Sequence, residues 1–252
     1  MQIVYQDPFL VIAVKPSGVP SLPERNHAPQ KDALTWLRMH VHREANLLHR
    51  LDKPTSGLLV ASWDPAVFRE LYAQFAQHQV EKKYWALVQG EPDFDGAELV
   101  APISSDPPRI DPHGGKPALT IAHTIEFFRG YALVLCVPAT GRMHQVRLHL
   151  AYYGFPIVGD TKYGGNPLYL SSFHPRYKPP RKKPERPLHS PESIFLHAGY
   201  LGFHHPVMQK KLTAEAALPS HFEIALRQLR RWAHRPNKNL SSSVEGPGEK
   251  LS

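Results

Sequence analysis

Short apolar runs separated by turn residues set the main limit on how this chain can fold. Residues 3–14 are rich in Val and Ile and alternate loosely before the turn-forming Lys15-Pro16-Ser17-Gly18, so we predict a strand pair that enters a loop. Further strands are predicted at 58–61, 82–88 and 132–137. No run approaches the ~18 apolar residues that span a bilayer, so we expect a cytoplasmic protein that does not enter a membrane.

Helical patterns occur at four other places. Each has apolar residues three or four positions apart or a recognisable start or stop signal. We predict helices over 32–45, from the N-cap Asp64 to about Phe75, over 144–153, and from Ser220, where Glu223 three residues on indicates a capping box.

Three stretches lack such periodicity. Residues 91–120 hold many Pro and Gly and are predicted to form a loop. Residues 166–193 combine Pro with Arg and Lys, so we expect an insertion that is extended and mobile and forms a basic surface arm. The polar tail 236–252 is predicted to be disordered. Without an internal repeat or a break in composition, residues 1–235 are expected to form one domain.

The charge balance favours a polyanionic partner. Thirty Lys and Arg against 22 Asp and Glu give a formal net charge of +8 and a pI near 9.5, which suits nucleic acid or an anionic membrane surface. The single cysteine, Cys136, excludes disulfides within the chain and sites with several thiolates. Because metal-binding, Gly-x-Ser-x-Gly, Walker and Gly-x-Gly-x-x-Gly motifs are missing from the sequence, the commonest metalloenzyme, hydrolase and nucleotide-binding classes are disfavoured.

Asp52 lies in the cluster His49-Arg50-Leu51-Asp52-Lys53-Pro54-Thr55-Ser56-Gly57, where cations and hydroxyls crowd a carboxylate ahead of an apolar strand. A carboxylate between cations stays ionised at neutral pH, as a nucleophile requires. The alternative is a structural Asp that caps the Thr55-Ser56-Gly57 turn through backbone amides. For an arbitrary Asp beside a turn, the residues alone favour the structural role.

A second cluster, 141–149, places Arg142, Gln145 and His149 close to one helical face, with His144 and Arg147 displaced around it. Basic residues at a helix start are unfavourable unless an anion lies opposite, and that anion could be a phosphate or a catalytic carboxylate. A solvated polar face or a histidine bonded in the core explains the pattern equally well.

Tyr84, which follows Lys82 and Lys83, is a third candidate. A phenol stacks on a nucleobase and exchanges a proton when a nearby cation lowers its pKa. Packing within a strand is the more common role of such a tyrosine.

The 49–57 cluster resembles the catalytic motif of the large-subunit (RluA-like) type of RNA pseudouridine synthases, His-Arg-Leu-Asp-x-x-Thr-Ser-Gly. Other segments match the same family in the family's order, and together the matches span residues 3 to about 206. Met143 departs from the usual Thr or Ser, and we expect a form without the N-terminal S4 domain. The other segments are Lys15-Pro16-Ser17-Gly18, Lys83-Tyr84-x-Ala86-x-Val88-x-Gly90, Gly141-Arg142-x-His144-Gln145-x-Arg147-x-His149, Pro156-Ile157-x-Gly159-Asp160 with Tyr163-Gly164, and Leu196-His197-Ala198 with His205-Pro206.

The resemblance implies an α+β catalytic domain over 1–235, with a mixed, mostly antiparallel sheet flanked by helices and an active site in a central cleft. It also implies isomerisation of uridine to pseudouridine within RNA, without a metal, redox step or cofactor. The substrate would be a stem-loop of tRNA or rRNA, and the protein would act as a monomer.

By the same resemblance, Asp52 is the nucleophile, which attacks either C1′ of the ribose or C6 of the uracil. Arg147 would pair with Asp52, and Tyr84 would stack on the uracil and help to remove the C5 proton. The remaining residues would contact the substrate: Arg50 in the gap left by the flipped nucleotide, Leu196 at the base, and Arg142, Lys82, Lys83 and the basic arm at phosphates. His49 is a further expected substrate-binding residue.

Two alternatives stay open from the sequence. One is an RNA-binding protein on a catalytically inactive synthase fold, against which the retention of Asp52, Tyr84 and Arg147 argues. The other is an aspartate-dependent glycoside or nucleoside hydrolase, although a basic arm suits a polymer better.

Overall fold

The structure, a computed structural model, describes residues 1–23, 32–179 and 183–235. Within these ranges the helices are α1 (Ala33–His40), α2 (Pro65–Ala76), α3 (Gln145–Tyr152) and α4 (Ser220–Trp232), with 3-10 turns at Thr161–Tyr163 and Leu170–Ser172. The strands are β1 (Gln2–Gln6), β2 (Leu10–Lys15), β3 (Asn46–Leu47), β4 (Ser56–Ser62), β5 (Glu81–Gln89), β6 (Asp95–Val100), β7 (Ile103–Ser105), β8 (Pro108–Ile110), β9 (Leu119–Phe128), β10 (Tyr131–Pro138), β11 (Leu196–His205), β12 (Lys210–Glu215) and β13 (His234–Arg235).

One large mixed sheet organises these elements. Its main path runs β1-β2-β4-β11-β5-β10-β9-β13, while β3, β12 and β6 pair with β4, β11 and β9, and β7 and β8 form a separate pair. In the described ranges every strand pair is antiparallel except β4 with β11. The α+β fold with a mostly antiparallel mixed sheet is therefore confirmed.

The parallel pairing of β4 with β11 joins two distant parts of the chain. His197 and Ala198 lie opposite Ser56 and Gly57, and Ala198 also lies opposite Tyr84 on the other neighbour, β5. Gly57 has a φ of +130°, and a Cβ at this position would lie 2.3 Å from the Ala198 carbonyl oxygen. Only glycine fits so close a backbone approach. The loop that precedes β4 is thereby set beside β11 and β5.

Two buried apolar clusters hold helices on this sheet. The α2 helix contributes to a cluster with β2 and β4, and α3 and α4 contribute to a cluster with β5 and β10. The predicted start of α2 is confirmed, because Asp64 Oδ1 accepts the backbone N–H groups of Ala66 and Val67, both at 2.9 Å.

The predicted capping box of α4 is wrong, although the helix begins at Ser220. Its N-cap is Pro219, and no side chain caps the helix. Because Ser220 is already inside the first turn, its hydroxyl is one position too late to meet the free N–H groups.

The prediction of a loop over 91–120 is also wrong, since β6, β7, β8 and the start of β9 lie there. These strands are short and largely exposed, and in β6 and β7 only Leu99 and Ile103 are buried. They therefore leave no apolar run in the sequence, and the prolines between them indicate turns instead.

The 166–193 segment is packed at both ends rather than extended and mobile. Leu168 and Phe173 are buried, and Leu188 packs against the same cluster. The His174 ring lies 3.9 Å from the Trp232 ring of α4. The expectation of an unpacked arm is wrong for these parts, because apolar side chains between the prolines dock on the core.

The middle of this segment does present a basic surface. Its described cations, Arg176, Lys178, Lys183 and Arg186, are all exposed. Arg181 and Lys182 lie outside the described residues, as does the predicted disordered tail 236–252.

Candidate active site

The loop that carries Asp52 is held by hydrogen bonds to its backbone. Ser21 Oγ donates to the Leu51 carbonyl oxygen at 2.7 Å and accepts from the Leu51 N–H at 2.9 Å. The Thr55 N–H donates to the Asp52 carbonyl oxygen at 3.0 Å. In the described part of the chain the Asp52 carboxylate bonds to none of the turn amides, so the alternative of a capping Asp is wrong.

Arg147, on α3, lies between two carboxylates. Its Nη1 donates to Asp52 Oδ2 at 2.9 Å, whereas Nε and Nη2 donate to the two oxygens of Asp160 at 2.7 and 2.8 Å. The side chain of Asp160 is 2% exposed and that of Asp52 is 17% exposed. The two-point pairing with Asp160 fixes the plane of the guanidinium, and Arg147 in turn orients Asp52.

The charge on Arg147 is secure. Burial by itself lowers the pKa of its guanidinium, but the hydrogen bonds and charge of Asp160, together with Asp52, outweigh burial and raise the pKa above its ordinary value. A permanent positive charge therefore faces the Asp52 carboxylate.

His144 is the second basic side chain beside Asp52. Its Nε2 lies 3.6 Å from Asp52 Oδ1, and its Nδ1 shares a hydrogen bond of 2.6 Å with the Tyr163 hydroxyl. Burial lowers the pKa of His144, with the charges of Arg147 and Lys162 adding to the effect and that of Asp52 opposing it. A neutral imidazole thus stands next to the second carboxylate oxygen. His144 also has a φ of +56°, a left-handed conformation that non-glycine residues seldom adopt.

A cavity of about 350 Å³ opens in front of the Asp52 carboxylate. Tyr84 reaches it from β5 and Leu196 from the start of β11, so a ring and an aliphatic side chain border the charged pair. Such a mixture suits a planar base with polar edges. The predicted site residues that line it are Asp52, Tyr84, Arg147, His49, Arg50, Lys82, Arg142 and Leu196.

Lys83 does not line this cavity, contrary to the expectation that it acts beside Lys82. Successive side chains of a strand point to opposite faces, so Lys82 and Tyr84 face the cavity and Lys83 does not. Its ammonium lies 4.6 Å from the centre of the Tyr200 ring.

The expectation that a cation lowers the pKa of Tyr84 is wrong. Burial raises the pKa of its phenol, and the charge of Asp52 raises it further. Tyr84 therefore presents a ring and a neutral hydroxyl rather than a phenolate.

His49 also faces the cavity as a neutral group. Burial lowers its pKa to about 3, and Lys82 contributes in the same direction. Its ring stacks on Phe75 at 4.8 Å, and its Nε2 accepts the Val60 N–H at 3.3 Å. His49 can shape the cavity, but it adds no charge for an RNA phosphate.

Gln145, the first residue of α3, ties the Arg142 loop to β9. Its Oε1 accepts the Thr140 hydroxyl at 2.7 Å and the Arg142 N–H at 3.0 Å, while its Nε2 donates to the Leu119 carbonyl at 2.9 Å and the Thr120 hydroxyl at 3.0 Å. Every hydrogen-bonding position of the amide is filled. This network sets where Arg142 and the start of α3 lie.

The alternatives left open for 141–149 divide between its residues. Arg147 meets a carboxylate, as the functional interpretation predicts. His149 is a buried core histidine, within 3.0 Å of the Thr120 hydroxyl and 3.1 Å of the Ala101 carbonyl. The solvated-face interpretation is wrong, since residues 145–150 are all buried.

Lys15 lies fully buried behind the Asp52 loop. Its Nζ donates to the carbonyl oxygens of Pro16, Val19 and Lys53 at 3.0, 2.7 and 3.2 Å. Burial lowers its pKa to about 7, against the charge of Asp52, which acts in the opposite direction. Lys15 therefore connects the turn after β2 to the residue that follows Asp52.

The sequence alone did not assign site roles to Asp160, His144 or Lys15. All three fall within the segments that match the family, which is the signal that could have singled them out. Each of them also contacts a residue at least 13 positions away in the chain, and only the fold reveals that contact.

The described ranges contain no helix long and apolar enough to cross a membrane. Nor do His, Cys, Asp and Glu side chains in those ranges come together in groups of three or more that could hold a metal ion.

The family profile described as RNA pseudouridylate synthase matches residues 9–152. The ribosomal large subunit pseudouridine synthase C of Vibrio cholerae is 36% identical over 235 residues, which cover 90% of this chain and 69% of that protein. The dual-specificity RNA pseudouridine synthase RluA of Escherichia coli is 31% identical over 220 residues, or 85% and 91% of the two chains. Among solved structures, human RNA pseudouridylate synthase domain containing 4 superposes with a TM-score of 0.70 at 26% identity, covering 94% of this chain and 95% of that one.

Proposed function

Because the chain belongs to the RNA pseudouridylate synthase family, we propose that it isomerises specific uridines to pseudouridine in structured RNA, with Asp52 as the nucleophile. The observation that carries this proposal is the placement of the Asp52 carboxylate. It is bonded to buried Arg147 on one side and borders the Tyr84 cavity on the other. A charged group held by a fixed partner beside a cavity for a planar base is what nucleophilic attack on a nucleotide requires.

The two oxygens of Asp52 have different surroundings. Oδ2 accepts from Arg147 Nη1, so we assign the attack to Oδ1, which lies 3.6 Å from His144 Nε2. The carbon attacked is C1′, with N1 of the uracil as the leaving group, or C6, followed by rupture of the N1–C1′ bond. The base then turns, C5 bonds to C1′, the carboxylate is released, C5 loses its proton, and the freed N1 takes up a proton from water. Because the product is an isomer of the substrate, the reaction consumes no co-reactant.

In the proposal, Arg147 acts at the first and at a late step of the reaction. It orients the carboxylate before attack and stabilises it again when it leaves, while Asp160 keeps the guanidinium in place. These contacts exist before substrate arrives, so no reorganisation of the protein is needed at the moment of reaction.

Tyr84 and Leu196 form the base-binding part of the cavity in the proposal. The Tyr84 ring stacks on the uracil, and Leu196 packs against it. Since the pKa of the phenol is raised, we assign Tyr84 a hydrogen-bonding part in removal of the C5 proton, with the released Asp52 carboxylate as the stronger base.

The target nucleotide must leave its stack to reach Asp52, at a cost of a few kcal/mol. Arg50, exposed at the edge of the cavity, is placed to fill the gap that remains in the RNA. Lys82 and Arg142 border the same opening and would contact phosphates. Such contacts position RNA without reading its sequence.

The proposed substrate is a stem-loop of tRNA, of rRNA, or of both. The support is in the relatives' names, since one acts on the large ribosomal subunit and another is called dual-specificity. Mapping pseudouridines in total RNA with and without the gene would identify the position.

The direct test uses RNA labelled with tritium at C5 of uracil. Purified protein should release tritium to water, and Asp52→Asn should abolish the release while still binding RNA. Asp95→Asn, an exposed acid on β6, is the matched control and should remain active. Full activity of Asp52→Asn would remove Asp52 from the mechanism.

The same assay separates the alternatives. Binding of RNA without tritium release by the unaltered protein would favour an inactive RNA-binding protein on this fold. Appearance of free uracil would favour a hydrolase.

A further inference from the structure

A second cavity, of about 520 Å³, adjoins the Tyr84 cavity. Five residues line both cavities and lie where they meet: Arg50, Leu51, Asp52, His144 and Arg147. The residues that line only the second cavity are Pro20, Ser21, Leu22, Pro23, Lys53, Pro54 and Lys162. The proposed nucleophile therefore borders two spaces of ligand size, of which the proposed reaction uses one.

The lining of the second cavity is cationic. Arg50, Lys53, Arg147 and Lys162 border it, and its one acid among the described lining residues is Asp52, which is already paired with Arg147. No Phe, Tyr or Trp is among those residues, whereas Tyr84, Tyr72 and Phe75 line the first cavity. The first cavity also has four cationic lining residues, Arg50, Lys82, Arg142 and Arg147, so the absence of Phe, Tyr and Trp is what distinguishes the second. The first space therefore suits a base with phosphates at its edge, and the second suits an anion.

Two of these cations lack an acidic partner in the described ranges. Neither Arg50 nor Lys162 forms an ion pair with any described carboxylate. Lys162 lies in the 3-10 turn after Asp160, and its ammonium is 5.5 Å from the centre of the Tyr163 ring. The Tyr163 hydroxyl bonds to His144, which lies beside Asp52. Tyr163 and His144 therefore connect Lys162 to Asp52.

We propose that this second cavity binds a phosphodiester of the RNA next to the target nucleotide, with Lys162 as a principal contact. The inference rests on the proposed function. Suppose that the base occupies the Tyr84 cavity and the ribose lies at Asp52. The two phosphates are bonded to that ribose, so they must lie close to Asp52 and outside the part of the cavity that holds the base. Lys82 and Arg142 at the opening of the Tyr84 cavity would contact one of them, and the neighbouring cationic space beside Asp52 would receive the other.

Lys162→Gln tests the contact by removing its charge. We expect the KM for an RNA stem-loop to rise about fivefold, the size of one exposed charge contact. The slope of log KM against log salt concentration should decrease by about 0.7–0.9, as expected when one phosphate is no longer neutralised. Lys162→Arg should keep most of the affinity, and Lys210→Gln, an exposed lysine on β12, should match the unaltered protein.

A neutral linkage in the RNA locates the phosphate. RNAs carrying one methylphosphonate on the 5′ or the 3′ side of the target uridine should bind the unaltered protein more weakly at one of these positions. If Lys162 contacts that phosphate, Lys162→Gln should bind the methylphosphonate RNA almost as well as it binds the normal RNA. The two changes would then remove the same interaction, as a double-mutant cycle detects. Equal losses in both proteins at both positions, or an unchanged salt slope in Lys162→Gln, would overturn the inference. Failure of the proposed function is a separate result, since the unaltered protein would then release no tritium from any RNA.

Discussion

At the scale of single residues, Asp160 holds the Arg147 guanidinium in the orientation in which it bonds to Asp52. Asp160→Asn keeps the shape but removes the charge that pairs with the buried guanidinium. We expect the free energy of unfolding to fall by about 3 kcal/mol, because one partner of a buried ion pair is lost. Since Arg147 also loses its fixed orientation, kcat should fall roughly 100-fold. Urea unfolding and the tritium assay measure these two effects.

A surface pair provides the control for this change. Arg230 bonds to the Glu126 carboxylate at 2.8 Å, with the arginine side chain 53% exposed and the glutamate side chain 19% exposed, and His234 lies 3.9 Å from the same carboxylate. Glu126→Gln should cost at most about 1 kcal/mol and leave activity as it was. Equal losses for the two variants would contradict the role given to Asp160.

Lys15 predicts a dependence of stability on pH. Its pKa is lowered from 10.5 to about 7 in the folded protein, so between these values the unfolded state binds more protons than the folded state. Stability attributable to this group therefore rises as the pH increases from 7 to 10.5. The unfolding free energy of the unaltered protein should therefore increase relative to that of Lys15→Met as the pH rises from 7 to 9.5. Urea titrations at both pH values test this, and a constant difference would count against it.

The motif at 49–57 allowed Asp52 to be selected, and the motif at 141–149 allowed Arg147 to be selected. Neither motif contains the third member of the cluster, because Asp160 meets Arg147 only after α3 ends and the chain turns back. The raised pKa of Tyr84 was equally hidden, since it depends on burial and on a charge from another part of the chain. The pairing of Arg147 with Asp52 could be predicted from the family resemblance, but the role of Asp160 and the burial of Tyr84 could not.

At the scale of elements, the pairing of β4 with β11 depends on Gly57. In Gly57→Ala the new Cβ would meet the backbone of Ala198, which has no flexible side chain to move aside. We expect a loss of about 3 kcal/mol or more in the free energy of unfolding. Gly154→Ala is the matched control, because Gly154 also has a positive φ, of +88°, but nothing lies within 4 Å of its Cβ position. That variant should lose only about 1 kcal/mol.

The start of α3 depends in the same way on Gln145. Gln145→Glu keeps the size of the side chain but replaces both donors with a carboxylate facing the Leu119 carbonyl oxygen. We expect about 3 kcal/mol of destabilisation, and weaker RNA binding because the Arg142 loop loses its anchor. Thermal unfolding and RNA binding measure the two effects. Gln2→Glu, on an exposed residue of β1, should change neither.

Elements with strong local signals could be predicted from the sequence. The α2 helix has an N-cap and a proline at its first turn, and β10 has a continuous apolar run. The short strands between 95 and 110 could not be predicted, since pairing with β9 or with each other, rather than their own composition, holds them in place. Their positions depend on contacts that periodicity does not record.

At the scale of the whole molecule, the net charge of +8 predicts salt-sensitive RNA binding. We propose that the exposed basic part of 166–193 supplies some of it. Replacing Arg176, Lys178, Lys183 and Arg186 with Gln should weaken RNA binding and reduce the slope of log Kd against log salt by about 0.7 for each phosphate that is no longer neutralised. Exchanging Lys and Arg at the same positions keeps the charge and should leave the slope unchanged. An unaltered slope in the Gln variant would show that this surface does not meet RNA.

The family-matched segments predicted the class of fold, but the order of strands could not be read from them. Sheet order depends on which distant edges meet, and here a strand from the last quarter of the chain enters between two strands that lie much earlier in the sequence. Composition carries no record of that insertion.

The insertion of β11 has a consequence for how the protein is made. A nascent chain that has left the ribosome only as far as α3 already contains Asp52, Tyr84 and Arg147, yet the strand that bridges β4 and β5 has not been synthesised. Until residue 196 emerges, β4 and β5 have no strand between them to which both can pair. We therefore expect a nascent chain to complete the Asp52 site only after all of β11 has left the ribosome.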